Sequence, residues 1–179
     1  MKYKIKFPVD NDREIGKLRV GDEVEISGTI YVARDAAHKK MIEALTKKSP
    51  LPFPAEGSLV YYMGPSPAPP GRIIGSCGPT TSSRMDRNTV PLLRAGLKAT
   101  MGKGNRSKEI EQACRKYKAV YLLTYGGCGA YLNRFVKKAG CFAYCELGPE
   151  AVYRLEVEGF PAIVGIDTKG NNVYNRDSG

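Results

Sequence analysis

The stretch that decides the fold is residues 97–129, LKATMGKGNRSKEIEQACRKYKAVYLLTYGGCG. An apolar strand pattern at its start reaches Met101 and is followed by the turn Gly102-Lys103-Gly104-Asn105-Arg106-Ser107. A helical pattern then runs from Lys108 to Lys118, with Ser107 as its N-cap. The next strand pattern, Val120 to Thr124, leads into Gly126-Gly127-Cys128-Gly129. Strand, helix and strand in this order predict a right-handed crossover between neighbouring parallel strands.

The same unit is predicted on both sides of this stretch. Upstream, a strand from Arg72 to Ser76 leads through a Thr/Ser loop to a helix that has Pro91 in its first turn. Downstream, the glycine-rich turn leads to a helix that ends near Lys138. In a parallel sheet all loops from strand to helix lie at one edge, where ligands bind. We therefore expect three loops that are distant in sequence to share one site.

The flanking regions are rich in strand patterns. Residues 18–30 alternate with period two around Gly21-Asp22, which predicts a hairpin. Further elements are predicted as a helix from Ala36 to Lys47 capped by Asp35, a strand from Ser58 to Met63, a proline-rich connection over 64–71, and strands at 155–157 and 162–167. The whole pattern predicts one α/β domain over residues 1–179, with three layers: helices, a central parallel sheet and a second, smaller, mostly antiparallel sheet.

Composition narrows the classes of function. The chain has 179 residues and a formal net charge of +10. No apolar run approaches the ~20 residues of a membrane span, and the N-terminus lacks a signal-peptide core, so we expect a cytoplasmic protein without a membrane partner. The charge fits a nucleic acid, an acidic small molecule or an acidic protein. Because the basic residues are scattered over predicted helix faces, we expect no nucleic acid partner. The alternative hypothesis is a non-catalytic module that binds an anion or a nucleic acid.

Cysteine and histidine content argues against a metal site on this chain. The five cysteines form no CxxC pair, which disfavours a disulfide scaffold and a self-contained zinc or iron–sulfur site. We expect buried free thiols at Cys141 and Cys145 and a half-buried thiol at Cys128. His38 is the only histidine. It lies one helical turn past Arg34, so it is either structural or an acid/base candidate beside that arginine.

The most polar predicted loop is Gly78-Pro79-Thr80-Thr81-Ser82-Ser83-Arg84-Met85-Asp86. Hydroxyls, free backbone N–H groups and a guanidinium all suit a small carboxylate or phosphate. A helix-capping polar turn is the simpler alternative. Lys103 lies between two glycines, but the surrounding residues fail the Walker pattern, so ATP binding is not expected. Lys103 is either a ligand for an anion or a solvated lysine in a flexible turn.

Four blocks together resemble one family. They are Ala33-Arg34-Asp35-Ala36-Ala37-His38-Lys39-Lys40, the Gly78–Asp86 loop, Gly102-Lys103-Gly104-Asn105 and Pro149-Glu150-Ala151-Val152-Tyr153. In this order they resemble the β subunit, or C-terminal domain, of class I iron–sulfur fumarate hydratase and the related β subunit of L-tartrate dehydratase. The loop over 126–129 departs from the commoner fumarase form.

The resemblance implies a swivelling-type β/β/α domain and a shared active site. A partner α subunit would carry a 4Fe–4S cluster, this chain would hold no metal, and the assembly would be an α2β2 heterotetramer. Arg34, Arg84, Lys103 and Thr81 would bind the small dicarboxylate substrate. Thr80 would be the base, with His38 as a proton relay. The implied reaction is the hydration of fumarate to (S)-malate, or alternatively the dehydration of tartrate to oxaloacetate.

Overall fold

Strands and helices alternate around one continuous sheet in the computed structural model, which describes residues 1–175. The strands are β1 Lys2–Phe7, β2 Glu23–Val32, β3 Leu59–Tyr61, β4 Ala99–Gly102, β5 Val120–Leu123, β6 Val136–Ala143 and β7 Val152–Ile166. The helices are α1 Arg13–Gly16, α2 Asp35–Thr46, α3 Asp86–Arg94, α4 Lys108–Tyr117 and α5 Gly129–Leu132, with 3₁₀ segments at Ser82–Met85, Asn133–Phe135, Cys145–Glu150 and Val173–Asn175. Within these residues no helix has the length and hydropathy of a membrane span.

The central part of the sheet is parallel, as predicted. Strands β1 to β5 lie side by side in chain order, and each pairs in parallel with the next. Because these strands point the same way, the loops that follow β2, β3, β4 and β5 lie along one edge of the sheet. This edge is called the carboxyl edge below.

The antiparallel part consists of β6 and β7. Strand β7 pairs antiparallel with β6, with β2 and with β5. Because β7 reaches both ends of the row from β2 to β5, the antiparallel layer is hydrogen-bonded to the parallel one at two places. The smaller sheet that the sequence predicts is therefore continuous with the central sheet.

Side-chain alternation on β3 separates two cores and so builds the three layers. Val60 and Tyr62 pack with residues of the helices such as Met41 and Leu92. Leu59 precedes Val60 and points to the opposite face of the sheet, where it packs in the larger core between the parallel strands and β7. The α/β class with three layers is thus confirmed.

Several local predictions are wrong. Residues 18–21 form no hairpin strand, because β2 begins at Glu23 and pairs with β1. Residues 72–76 form no strand. Helix α3 continues directly from the Ser82–Met85 segment, so Pro91 lies inside it and not in its first turn. The chain after α5 forms β6 and not a helix to Lys138, because pairing with β7 captures it.

The cysteine prediction is also corrected. Cys141 and Cys145 form a disulfide, and Cys128 is exposed. Strand β6 ends at Ala143, and Tyr144 has a left-handed φ of 54° that turns the chain back. This turn brings the Cα atoms of the two cysteines to 5.9 Å, which is within the range that a disulfide requires.

Candidate functional site

The carboxyl edge brings together the loops that carry the predicted site residues. Arg34 follows β2, Lys103 follows β4, and Gly126 follows β5. The Thr/Ser loop joins this edge without a strand of its own before it. The Thr80 N–H donates to the Tyr62 carbonyl over 2.8 Å, and Thr81 forms a parallel bridge with Lys103. The loop therefore runs beside the end of β4.

Arg84 lies beside the start of α2. Its Nη2 donates to Asp35 Oδ2 over 3.0 Å, and the arginine side chain is 52% exposed. Arg84 is three residues beyond Thr81, which is the bridge partner of Lys103. The contact with Asp35 brings it next to the residue that follows Arg34. Arg84 therefore lies on the same face of the molecule as the other two cations.

The guanidinium of Arg34 is held on two sides. Its Nε lies 3.4 Å from Glu150 Oε1, although this atom is buried and lacks a well-aligned hydrogen bond within the described residues. The guanidinium also lies against Gly64, where an added Cβ would come within 2.7 Å of Arg34 Cζ. Arg34 itself is the N-cap residue of α2. The prediction of Asp35 as the cap is therefore wrong by one residue.

Lys103 is the cation with the fewest partners. Its side chain is exposed and pairs with none of the carboxylates in the part of the chain that the structure describes. A Cβ added to Gly126 would come within 3.4 Å of Lys103 Cδ, so the lysine stem passes over that glycine. The ammonium is thus free to meet an anion at the carboxyl edge.

His38 lies beneath this surface. It is fully buried, its Nδ1 donates to the Arg34 carbonyl over 2.9 Å, and its ring meets Tyr62 edge-on at 5.3 Å. Burial lowers its pKa to about 4, so the ring is neutral at neutral pH. This geometry supports the backbone of Arg34. The role as proton relay stays a prediction.

A buried network links the Arg84 loop to the Lys103 loop, and sequence reasoning missed it. Arg106 forms an ion pair with Asp86 and donates to Thr89 Oγ1 over 2.9 Å. Its guanidinium lies 5.3 Å from the ring centre of Tyr62 and 4.9 Å from that of Tyr121. Since Asp86 begins α3 and Arg106 precedes α4, the pair fixes the exits of both loops.

Further hydrogen bonds close the same network. Asp86 Oδ2 accepts from the Ser107 N–H over 2.7 Å. The Tyr121 hydroxyl donates to the Gly104 carbonyl over 2.8 Å and accepts from Ser82 Oγ over 2.9 Å, because a phenol carries one hydrogen only. A charged residue just before a predicted helix is ordinarily expected to be exposed to solvent. No sequence signal distinguishes Arg106 from that ordinary case.

The side chains gathered at the carboxyl edge have the chemistry of an anion receptor. Among residues 1–175 no group of three or more His, Cys, Asp or Glu side chains is placed to hold a metal ion. Burial raises the pKa of the Cys77 and Cys114 thiols to about 12, which disfavours the thiolates that a cluster requires. The described residues therefore do not fit an iron–sulfur cluster on this chain alone.

Comparison with known proteins identifies the family of this chain. Residues 2–177 match the family described as Fumarase C-terminus. The chain is 42% identical over 180 residues to fumarate hydratase 2 of Leishmania major, covering 98% of this chain and 32% of the relative. It is 39% identical to the anaerobic class I fumarate hydratase of Escherichia coli (strain K12), covering 91% of this chain and 30% of the relative.

A third relative matches this chain in length. The L(+)-tartrate dehydratase subunit beta of Escherichia coli (strain K12) is 33% identical, and the match covers 97% of this chain and 87% of the relative. The chain thus spans about a third of the fumarate hydratases and most of the tartrate dehydratase subunit. The chain therefore belongs to the Fumarase C-terminus family.

Proposed function

We propose that this chain is the β subunit of an iron–sulfur hydro-lyase that hydrates fumarate to (S)-malate together with a cluster-bearing α subunit. The observation that carries the proposal is the convergence of Arg34, Arg84 and Lys103 on one edge of the sheet. Family membership and the names of the relatives support it. The partner is supported by the relative from Escherichia coli (strain K12), which is named as the beta subunit of an L(+)-tartrate dehydratase.

In the proposal the three cations bind a dianionic substrate. Arg34 and Arg84 present planar forks that match a carboxylate, and Lys103 adds a compact positive charge. The Thr81 hydroxyl lies on the same loop and donates a hydrogen bond. In the dehydrating direction, the reverse of the hydration, a C–H next to a carboxylate must lose its proton. This C–H is a weak acid, so its removal requires stabilisation of the charge that develops on that carboxylate. The cations supply this stabilisation.

Thr80 is the proposed base. Its main chain is held by Tyr62 and by the Lys103 N–H, which donates to the Thr80 carbonyl over 3.3 Å. A threonine hydroxyl is a poor base by itself, so the neighbouring cations must favour its deprotonated form or another group must relay the proton. His38 is the proposed relay, acting at the base of the Arg34 loop.

The 4Fe–4S cluster belongs to the α subunit in this proposal. When bound there it acts as a Lewis acid toward the substrate hydroxyl and a carboxylate. The role of this chain is to bind and orient the substrate and to move its proton. We further propose an α2β2 heterotetramer in the cytoplasm and one domain over residues 1–179. Tartrate dehydration to oxaloacetate is the second candidate, and the tartrate dehydratase relative favours it.

The experiment is reconstitution of this chain with its α subunit under anaerobic conditions with iron and sulfide. Hydration is assayed with fumarate and with mesaconate, and dehydration with L-tartrate, as separate substrates. We expect the highest kcat/KM with fumarate. Arg84→Ala should lower kcat/KM at least about 100-fold, because a charge-assisted contact to the substrate is lost.

Arg115→Ala is the matched control. It removes the same charge from an exposed position near the end of α4, away from the carboxyl edge, so its kcat/KM should match the wild type. Wild-type rates in Arg84→Ala would overturn the assignment of the site. The highest kcat/KM with L-tartrate would select the second candidate.

A further inference from the structure

We propose that Gly64 and Glu150 are positioning residues that orient the guanidinium of Arg34 toward the substrate. This inference rests on the proposed function, since it assigns the support of a proposed substrate-binding arginine. Neither residue needs to touch the substrate. Each acts through the arginine, one by leaving space for it and the other by holding its Nε side.

Gly64 supplies the space. An ideal Cβ at this position would lie 2.7 Å from Arg34 Cζ, 2.9 Å from Nε and 3.0 Å from Nη1. All three distances are far shorter than ordinary van der Waals contact, so only glycine allows the guanidinium to lie against this backbone. Gly64 has no left-handed φ that would itself require glycine. The requirement is therefore set by the arginine.

Glu150 supplies the second contact. Its Oε1 lies 3.4 Å from Arg34 Nε, and it ends the Cys145–Glu150 segment that precedes β7. The same segment is tied to α2 a second time, because Lys40 forms an ion pair with Glu146. Two ion pairs thus hold this segment against the helix that Arg34 caps. The carboxylate of Glu150 is in this way fixed relative to Arg34.

The consequence concerns which side of the guanidinium a ligand can meet. A guanidinium binds a carboxylate through two parallel N–H groups. The Nε atom of Arg34 is buried and lies 3.4 Å from Glu150 Oε1 without a well-aligned hydrogen bond among the described residues, while the whole side chain is 28% exposed. The terminal Nη1 and Nη2 groups then form the pair that is left for a substrate carboxylate. Gly64 and Glu150 together select this orientation.

Gly64→Ala tests the first contact. The added methyl group should push the end of the Arg34 side chain aside, and this end can move without disturbing the fold. Gly140→Ala is the matched control, because nothing lies within 4 Å of its added Cβ. In the complex with the α subunit we expect Gly64→Ala to raise KM for the dicarboxylate about 10-fold, with a smaller change in kcat.

A second readout does not depend on activity. The ¹⁵N–¹H resonance of Arg34 Nε, assigned by its loss in Arg34→Lys, is recorded on the full chain. Gly64→Ala and Glu150→Gln should both shift it, and Gly140→Ala should not. Glu150→Gln keeps the shape of the side chain and carries the test if Gly64→Ala does not fold.

The two proposals fail in different ways. If the reconstituted complex hydrates no diacid, the proposed function fails, and the Nε resonance still reports on the positioning of Arg34. If Glu150→Gln and a folded Gly64→Ala both leave the resonance and KM at wild-type values, the inference is overturned while the proposed function stands. If Gly64→Ala does not fold, an unshifted resonance in Glu150→Gln overturns the inference by itself.

Discussion

Two arginine–aspartate pairs lie close together in this molecule and differ in their exposure to solvent. The Arg106–Asp86 pair is buried, with side-chain exposures of 0% and 12%. The Arg84–Asp35 pair is open, with exposures of 52% and 45%. Asp86 and Arg84 are only two residues apart. The comparison shows that one short loop carries both a fixed structural charge and a charge that a ligand can reach.

The difference follows from desolvation. A buried guanidinium must find partners for all its donors, and Arg106 meets an aspartate, two threonine hydroxyls and two aromatic rings. Among residues 1–175 Arg84 donates one side-chain hydrogen bond, to Asp35, and about half of its side chain is exposed. An incoming carboxylate can therefore compete for Arg84 at little cost, whereas Arg106 is closed to any ligand.

The largest expected effect on stability comes from breaking the buried pair. Arg106→Met leaves the carboxylate of Asp86 buried and unpaired, which should lower the free energy of unfolding by about 3–5 kcal/mol. Urea denaturation, followed by circular dichroism, measures this loss in the free energy of unfolding. A loss below about 1 kcal/mol would show that water or a rearranged side chain replaces Arg106, and the contrast between the two pairs would then disappear.

The pH dependence of stability provides an intermediate test, because His38 is buried beside the same network. Its pKa is about 4 in the folded chain and about 6.5 without burial, mainly because burial disfavours the charged ring. Below pH 6.5 the unfolded chain therefore binds more protons than the folded one. Stability should be complete above pH 6.5 and should fall as the pH drops toward 4, by about 3 kcal/mol in total.

Measurements between pH 5 and 6.5 isolate this histidine from most carboxylates. The variant His38→Asn keeps a donor near the position of Nδ1 and removes the titration. Its free energy of unfolding should vary less over this window than that of the wild type. Equal pH dependence in both proteins would assign the effect to another group.

The smallest expected effect is on the open pair. Arg84→Met should change the free energy of unfolding by less than about 1 kcal/mol, since exposed ion pairs contribute little and salt screens them. The wild type and the variant are compared by urea denaturation at low and high salt. A loss as large as that in Arg106→Met would mean that Arg84 is a structural residue, against its proposed role at the substrate.

The loops that carry the predicted site residues could be recognised in the sequence, because each belongs to a local pattern, while the roles of these residues stay predictions. Lys103 follows a strand and lies between glycines, and Arg84 follows a run of hydroxyl residues, so the chemistry of both loops is visible in the chain. The position of Lys103 at the carboxyl edge follows from the parallel order of β2 to β5. The Thr/Ser loop has no strand of its own before it and reaches this edge through its contacts with Tyr62 and Lys103. Glu150 stood in a recognisable block, but its contact with Arg34 needs β7 to return along β2.

Some predictions failed because partners distant in the chain override local preference. The sequence predicts a helix that ends near Lys138, yet pairing with β7 makes Val136–Ala143 a strand. Cys141 and Cys145 looked like buried thiols, and the left-handed turn at Tyr144 joins them. No sequence pattern predicted that Arg106 is buried, because the burial of a charged side chain depends on which other segments pack against it.

The amino-acid sequence alone determined the strand, helix and strand of residues 97–124 and the basic, hydroxyl-rich character of the loops at the carboxyl edge, because periodicity and residue type are local properties. Only the tertiary structure decided which charged side chains are buried and which are exposed to solvent and ligands. That distinction depends on solvent access, and access is set by segments such as β7 and the 145–150 turn that lie far from Arg34, Arg84 and Arg106 in the chain.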